Sequence, residues 1–123
     1  MRTAIYQYLS QNMSHVKWIQ PYHATANTPK PYGVIVIGER IRAPLNNRAS
    51  YLGLTIWLYV EEGSYLPLDN LVKELKNLLD KKILKTVNGN SFMVEWEHDG
   101  RDWYDDDLKA ATKYIEFIIP MGG

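Results

Sequence analysis

The sequence predicts an α+β domain: a mainly antiparallel four-stranded sheet with helices packed on it, in the order helix-strand-strand-helix-strand-strand. Three observations lead there. From Pro67 to Lys82, Leu68, Leu71, Val72, Leu75, Leu78 and Leu79 recur at spacings of three and four, which is helical period with one apolar face. From Leu54 to Val60, Leu54, Ile56, Leu58 and Val60 alternate with Thr55, Trp57 and Tyr59, which is strand period. Further strand-like runs precede the first of these patterns and follow the second, so strands and helices interleave without a βαβ rhythm.

Taken in order, Thr3 to Met13 reads as a short helix, with Ala4, Ile5, Tyr8 and Leu9 on one face. Val16 to Ile19 is a brief apolar stretch, and Tyr22 to Tyr32, with Pro29 and Pro31, reads as extended loop. Gly33 to Arg42 is the first strand, whose consecutive β-branched Val34 to Ile37 point to burial on both faces. Ala43 to Ser50 holds Pro44, Asn46 and Asn47 and reads as a turn or loop, which makes a hairpin with the second strand the simplest pairing. Pro67 suits the first turn of the long helix, Asp69 opposes its positive start, and Lys81 and Lys82 its negative end. Val87 to Asn90 is a turn centred on Asn88-Gly89. Phe92, Val94 and Trp96 then alternate with Met93, Glu95 and Glu97 in a third strand. His98 to Asp107 is an acidic loop. The last strand places Ile115, Phe117 and Ile119 on one face.

At 123 residues the chain fits one domain, 1–123, with no repeat and no dividing linker. Its composition, 46% hydrophobic and 23% charged, excludes a wholly disordered chain. The absence of cysteine excludes disulfides, thiolate zinc sites and cysteine nucleophiles, and fits a reducing compartment. The N-terminus lacks an apolar signal core, and no apolar run approaches the ~20 residues that span a bilayer, so a soluble, unexported protein without membrane partners is expected.

The net charge of zero hides a gradient. Residues 1–60 hold Arg2, Lys17, Lys30, Arg40, Arg42 and Arg48 against Glu39, six minus one. Residues 91–123 hold eight acids against Arg101, Lys109 and Lys113, three minus eight. Nucleic-acid affinity comes from clustered cations, so this dipolar chain is a poor nucleic-acid binder and a better self-associating one.

The acidic run from Glu95 to Asp107 is the one candidate for chemistry. Hard cations want several oxygen ligands, and Glu95 and Glu97 with His98 or Asp99 would be the set for a metal-dependent phosphodiesterase. The spacing matches no calcium loop, and a solvated edge or electrostatic contact surface is the better reading. His15, His23 and His98 have no ligand-like spacing, no serine sits in a nucleophile elbow, and no glycine-rich loop opens a helix. No catalytic residue, metal or cofactor is therefore expected. Trp57, Tyr59, Trp96, Trp103 and Tyr104 resemble a base-stacking set, but three of them lie in the acidic run, so core packing and subunit contact account for them better.

The order of these elements resembles the tail terminator, or tail completion, proteins of long-tailed bacteriophages. The likeness rests on Thr28-Pro-Lys-Pro-Tyr-Gly-Val-Ile-Val-Ile before the first strand and on Leu54 to Val60 running into the Leu68 to Leu79 helix. It rests also on Asp102-Trp-Tyr-Asp-Asp-Asp after a late strand and on the closing strand Tyr114 to Ile119. It covers nearly the whole chain as a pattern, with the polar stretch Gln20 to Pro31 longer than the pattern asks. The resemblance implies a non-enzymatic virion protein at the head–tail junction, assembled in the host cytoplasm. It implies a homo-hexameric ring that ends tail-tube growth, with the tube protein on one side and the head connector or stopper on the other. DNA would be a partner only as it passes through the ring lumen. On this view Arg40, Arg42, Arg48, Trp103, Tyr104, Asp105 and Asp106 make the subunit contacts, or the acidic segment lines the lumen. Another neck protein, a head–tail stopper or adaptor, is the alternative assignment.

Overall fold

A computed structural model describes the backbone over residues 1–19, 27–43, 46–63 and 65–121, and the side chains over 1–19, 27–38, 51–63 and 65–120. In chain order the elements are α1 (Arg2–Asn12), β1 (Lys17–Ile19), β2 (Tyr32–Ala43), β3 (Asn46–Glu61) and α2 (Leu66–Leu79). β4 (Lys82–Lys85), β5 (Ser91–Asp99), β6 (Trp103–Asp105) and β7 (Ala110–Met121) follow.

The expected four-stranded sheet is replaced by one curled, mixed sheet of seven strands, and strand makes up 48% of the chain. The strands run β1-β2-β3-β7-β5-β4, with β6 also on β7. β1 runs parallel to β2 and every other pair is antiparallel. The four long strands stand where the patterns put them, and the difference lies in three strands of three or four residues. Such segments hold too few positions to show alternation and form only because a neighbouring strand offers hydrogen bonds. β1 occupies the apolar stretch before residue 20, β6 lies within the expected acidic loop, and β4 begins at Lys82, where the long helix is expected to end.

That helix stops at Leu79 instead of Lys82 for a visible reason. Asp80 turns extended, Lys81 takes a left-handed φ of 66°, and the Lys81 amide donates to the Val94 carbonyl at 2.7 Å. The Asp80 carboxylate accepts the Trp96 amide at 2.8 Å. The chain leaves the helix by joining the edge of β5. The Ala43 to Ser50 loop is shorter than expected as well, because β3 begins at Asn46; Pro44 and Leu45 lie outside the described residues, as do residues 20–26 of the polar stretch.

The two helices cover one face of the sheet. Leu54, Ile56, Leu58 and Val60 of β3 and Ile115, Phe117 and Ile119 of β7 meet Leu68, Leu71, Val72, Leu75 and Leu79 of α2 and Ile5 and Leu9 of α1 in a single buried core. The Tyr8 hydroxyl donates to the Leu78 carbonyl at 2.9 Å and ties the helices together. In β2 the β-branched run is buried on both faces only at Val34 and Ile35; Val36, on the face away from the helices, is 36% exposed.

Candidate functional site

The helix-free face carries the chain's chemistry. Strand register places Tyr32 beside Tyr59, Val34 beside Trp57, and Trp57 in turn beside Tyr114. Trp103 of β6 stands opposite Thr112 at the end of the same surface. The rings touch in sequence: Tyr32 stacks on Tyr59 with centroids 4.7 Å apart, Trp57 meets Tyr114 at 5.1 Å and Trp103 at 6.3 Å, and His98 stands edge-on to Tyr114 at 6.2 Å. Gly100 makes room for this cluster, since a β-carbon there would fall within 3.0 Å of the Tyr114 ring.

Burial sets the electrostatics of the cluster. The Tyr32 hydroxyl is buried without a hydrogen-bond partner among the described residues, and desolvation, helped by Tyr59 and the Asp105 carboxylate, pushes it up to about 12. Tyr59 is raised by burial and by Asp105, against the pull of its bond with Thr112. Tyr104 is held up at about 12 chiefly because its hydroxyl donates to the Glu62 carboxylate. These phenols stay protonated and serve as packing and hydrogen-bonding groups.

Half of the expected acidic loop is sheet. β5 continues to Asp99, and β6 carries Trp103, Tyr104 and Asp105 against β7. Asp105 also accepts the Leu108 amide at 2.9 Å, which shapes the turn that Asp106 and Asp107 occupy in the open. Trp103 is 57% exposed beside Trp57. Of the expected contact residues, Trp103, Tyr104, Asp105 and Asp106 thus share one end of the sheet. Arg40 and Arg42 stand in β2 opposite Leu52 and Ser50, at the other end, and Arg48 stands in β3; their side chains lie outside the described residues.

The carboxylates considered as a metal set are dispersed. Glu95 faces Lys81 at 3.7 Å, while Asp99 pairs with Lys76 at 3.2 Å and accepts the Trp96 indole N–H at 2.9 Å. The register of β5 on β7 skips a residue between Trp96 and His98, so Glu97 is the extra residue of a bulge. That bulge brings Glu97 and His98 together with Glu116 of β7, their ligand atoms all within 4.8 Å of one another and His98 3.5 Å from Glu116. Among the described residues, these three groups are the ones a cation could share, and only two of them are in the expected set. Glu116 and Tyr114 were legible only as the outward positions of a strand whose alternate residues are Ile115, Phe117 and Ile119. No helix among the described residues is long and apolar enough to cross a membrane. Neither a protein-family model nor a curated protein matches the chain.

Proposed function

We propose that this chain is a structural protein of the phage tail-terminator type, a homo-hexameric ring that caps the head-proximal end of a tail tube, ends its growth and joins it to the head connector. The observation that carries the reading is where unlike charges fall on the sheet. β3 and β7 pair over twelve positions, from Ser50 with Met121 to Glu61 with Ala110. At ~3.3 Å per residue this ladder is about 36 Å long. Arg40, Arg42 and Arg48, against Glu39, belong to the hairpin at its Met121 end. Glu61, Glu62, Asp102, Asp105, Asp106 and Asp107 gather toward its Ala110 end, against Arg101, Lys109 and Lys113.

Unlike charges at opposite ends of one rigid sheet favour contacts that set one end of a copy against the opposite end of the next, as head-to-tail packing does. Repeated head-to-tail contacts close into a ring or run on as a filament. A ring also leaves two unlike faces, one for the tube and one for the connector.

Light scattering over a range of protein and salt concentrations tests this. The expected result is a hexamer of the 14.3 kDa chain that weakens as salt rises. A two-fold dimer, or a monomer that purified tail tubes fail to assemble, overturns the reading.

A further inference from the structure

We infer that the β6 end of the helix-free face is the receptor for the β2–β3 hairpin end of a second copy, gripping its arginines between tryptophan rings and carboxylates. This inference rests on the ring reading and deepens it. Trp57 and Trp103, with ring centroids 6.3 Å apart and planes tilted by 55°, line the spot, and Trp103 is more than half exposed. Glu61 and Asp105 flank Ala110 on the same face, one on β3 and the other on β6.

No paired position of β3, β6 or β7 puts a lysine or arginine on the helix-free face; Lys113 alternates to the core side, where it reaches Asp102 at 3.5 Å. Lys17, which does share the face, is on β1, four strands from β6. Among the described residues, neither Glu61 nor Asp105 has a lysine or arginine partner. Glu95, Asp99 and Asp102 have Lys81, Lys76 and Lys113. The surface thus offers aromatic faces and unneutralised carboxylates together.

The hairpin end has the matching chemistry. Its three cations are all arginines, whose flat guanidinium both stacks on indole and forks onto carboxylate, as a lysine ammonium does not. The hairpin cannot serve its own receptor. Arg40 is level with Leu52, whereas Trp103 is level with Tyr59, seven residues along, or about 23 Å at ~3.3 Å per residue. A single-stranded nucleic acid would find the same rings, but these carboxylates repel its phosphates.

The test places a photo-reactive benzophenone amino acid at position 103, mixes isotope-labelled and unlabelled full-length chains, irradiates, and maps the cross-links by mass spectrometry. Intermolecular cross-links into residues 39–50 are expected. Oligomers whose cross-links fall elsewhere overturn this surface and leave the ring reading standing, whereas a chain that stays monomeric even with purified tail tubes and gives none overturns both. As a second measurement, Asp105→Lys should raise the half-association concentration by at least about tenfold, with the far-UV spectrum unchanged. A folded Asp105→Lys chain that assembles normally also overturns the assignment.

Discussion

The six-membered ring of Trp18 lies over the α-carbon of Gly33, its partner on the neighbouring strand, so closely that a β-carbon at 33 would fall within 3.0 Å of three ring atoms. Trp18 is 5% exposed, and its indole N–H donates to the Met13 carbonyl at 3.3 Å. The ring therefore has nowhere to go. Gly33→Ala should cost about 1–3 kcal/mol, the usual range for overpacking. Gly100→Ala makes a comparable clash with Tyr114, but that ring is half-exposed and can swing outward, so its cost should be the smaller. Urea denaturation of the two variants checks the order, and a greater loss at Gly100 would show that the Tyr114 ring is fixed.

The leucine stripe of α2 gives a sharper contrast. Leu75 is fully buried beneath the sheet, whereas Leu66, in the first turn of the same helix, is 67% exposed. Leu75→Ala should lose about 2–5 kcal/mol and Leu66→Ala within about 0.5 kcal/mol. Equal losses would mean that something covers Leu66 in solution.

That stripe was legible because its period repeats over about three turns, and so were the long strands, whose alternation Leu54 to Val60 and Ile115 to Ile119 carry. What escaped was set by partners far away in sequence. Lys17-Trp-Ile becomes a strand only because β2 lies beside it, and Lys82 to Lys85 only because β5 does. Lys81 enters the left-handed region without a glycine to mark the break. The Phe92, Val94, Trp96 alternation gave no sign of the bulge at Glu97, which depends on how β5 meets β7 and decides which acids gather. The charge gradient was plain from the chain, but its placement at opposite ends of the sheet required the β3–β7 register.

Tyr32 links stability to alkaline pH. Its hydroxyl is held up at about 12 in the folded chain, against ~10 when unfolded. Below pH ~10 both states keep the proton and the native state keeps its full advantage. Between ~10 and ~12 the unfolded chain releases the proton first, so stability falls as pH rises. Tyr32→Phe should flatten that fall, read from urea midpoints at pH ~9 and ~11. At neutral pH the same change removes a buried hydroxyl with no partner among the described residues and should stabilise the fold by roughly 1 kcal/mol. A clear loss at neutral pH would show that the hydroxyl has a bonding partner.

The charge contact itself can be separated from folding at Arg48. This residue precedes Ser50, where the pairing of β3 with β7 begins, so no core ladder depends on it. Asp106 sits exposed in the β6–β7 turn at the other end. Arg48→Glu should therefore leave the chain folded, yet weaken assembly at low salt. Adding salt should shrink the difference between variant and parent, because the Debye length falls from ~10 Å at 0.1 M to ~3 Å at 1 M. Reversing the partner as well distinguishes a specific pair from a general field. If the two residues meet across the subunit contact, Arg48→Glu combined with Asp106→Arg should recover assembly beyond the sum of the single effects. Light scattering beside a thermal melt reads both quantities on the same samples. An unfolded Arg48→Glu chain, or a folded one that assembles as the parent does, would remove Arg48 from the contact. A double variant no better than the additive expectation would keep both residues in the interface but facing different partners.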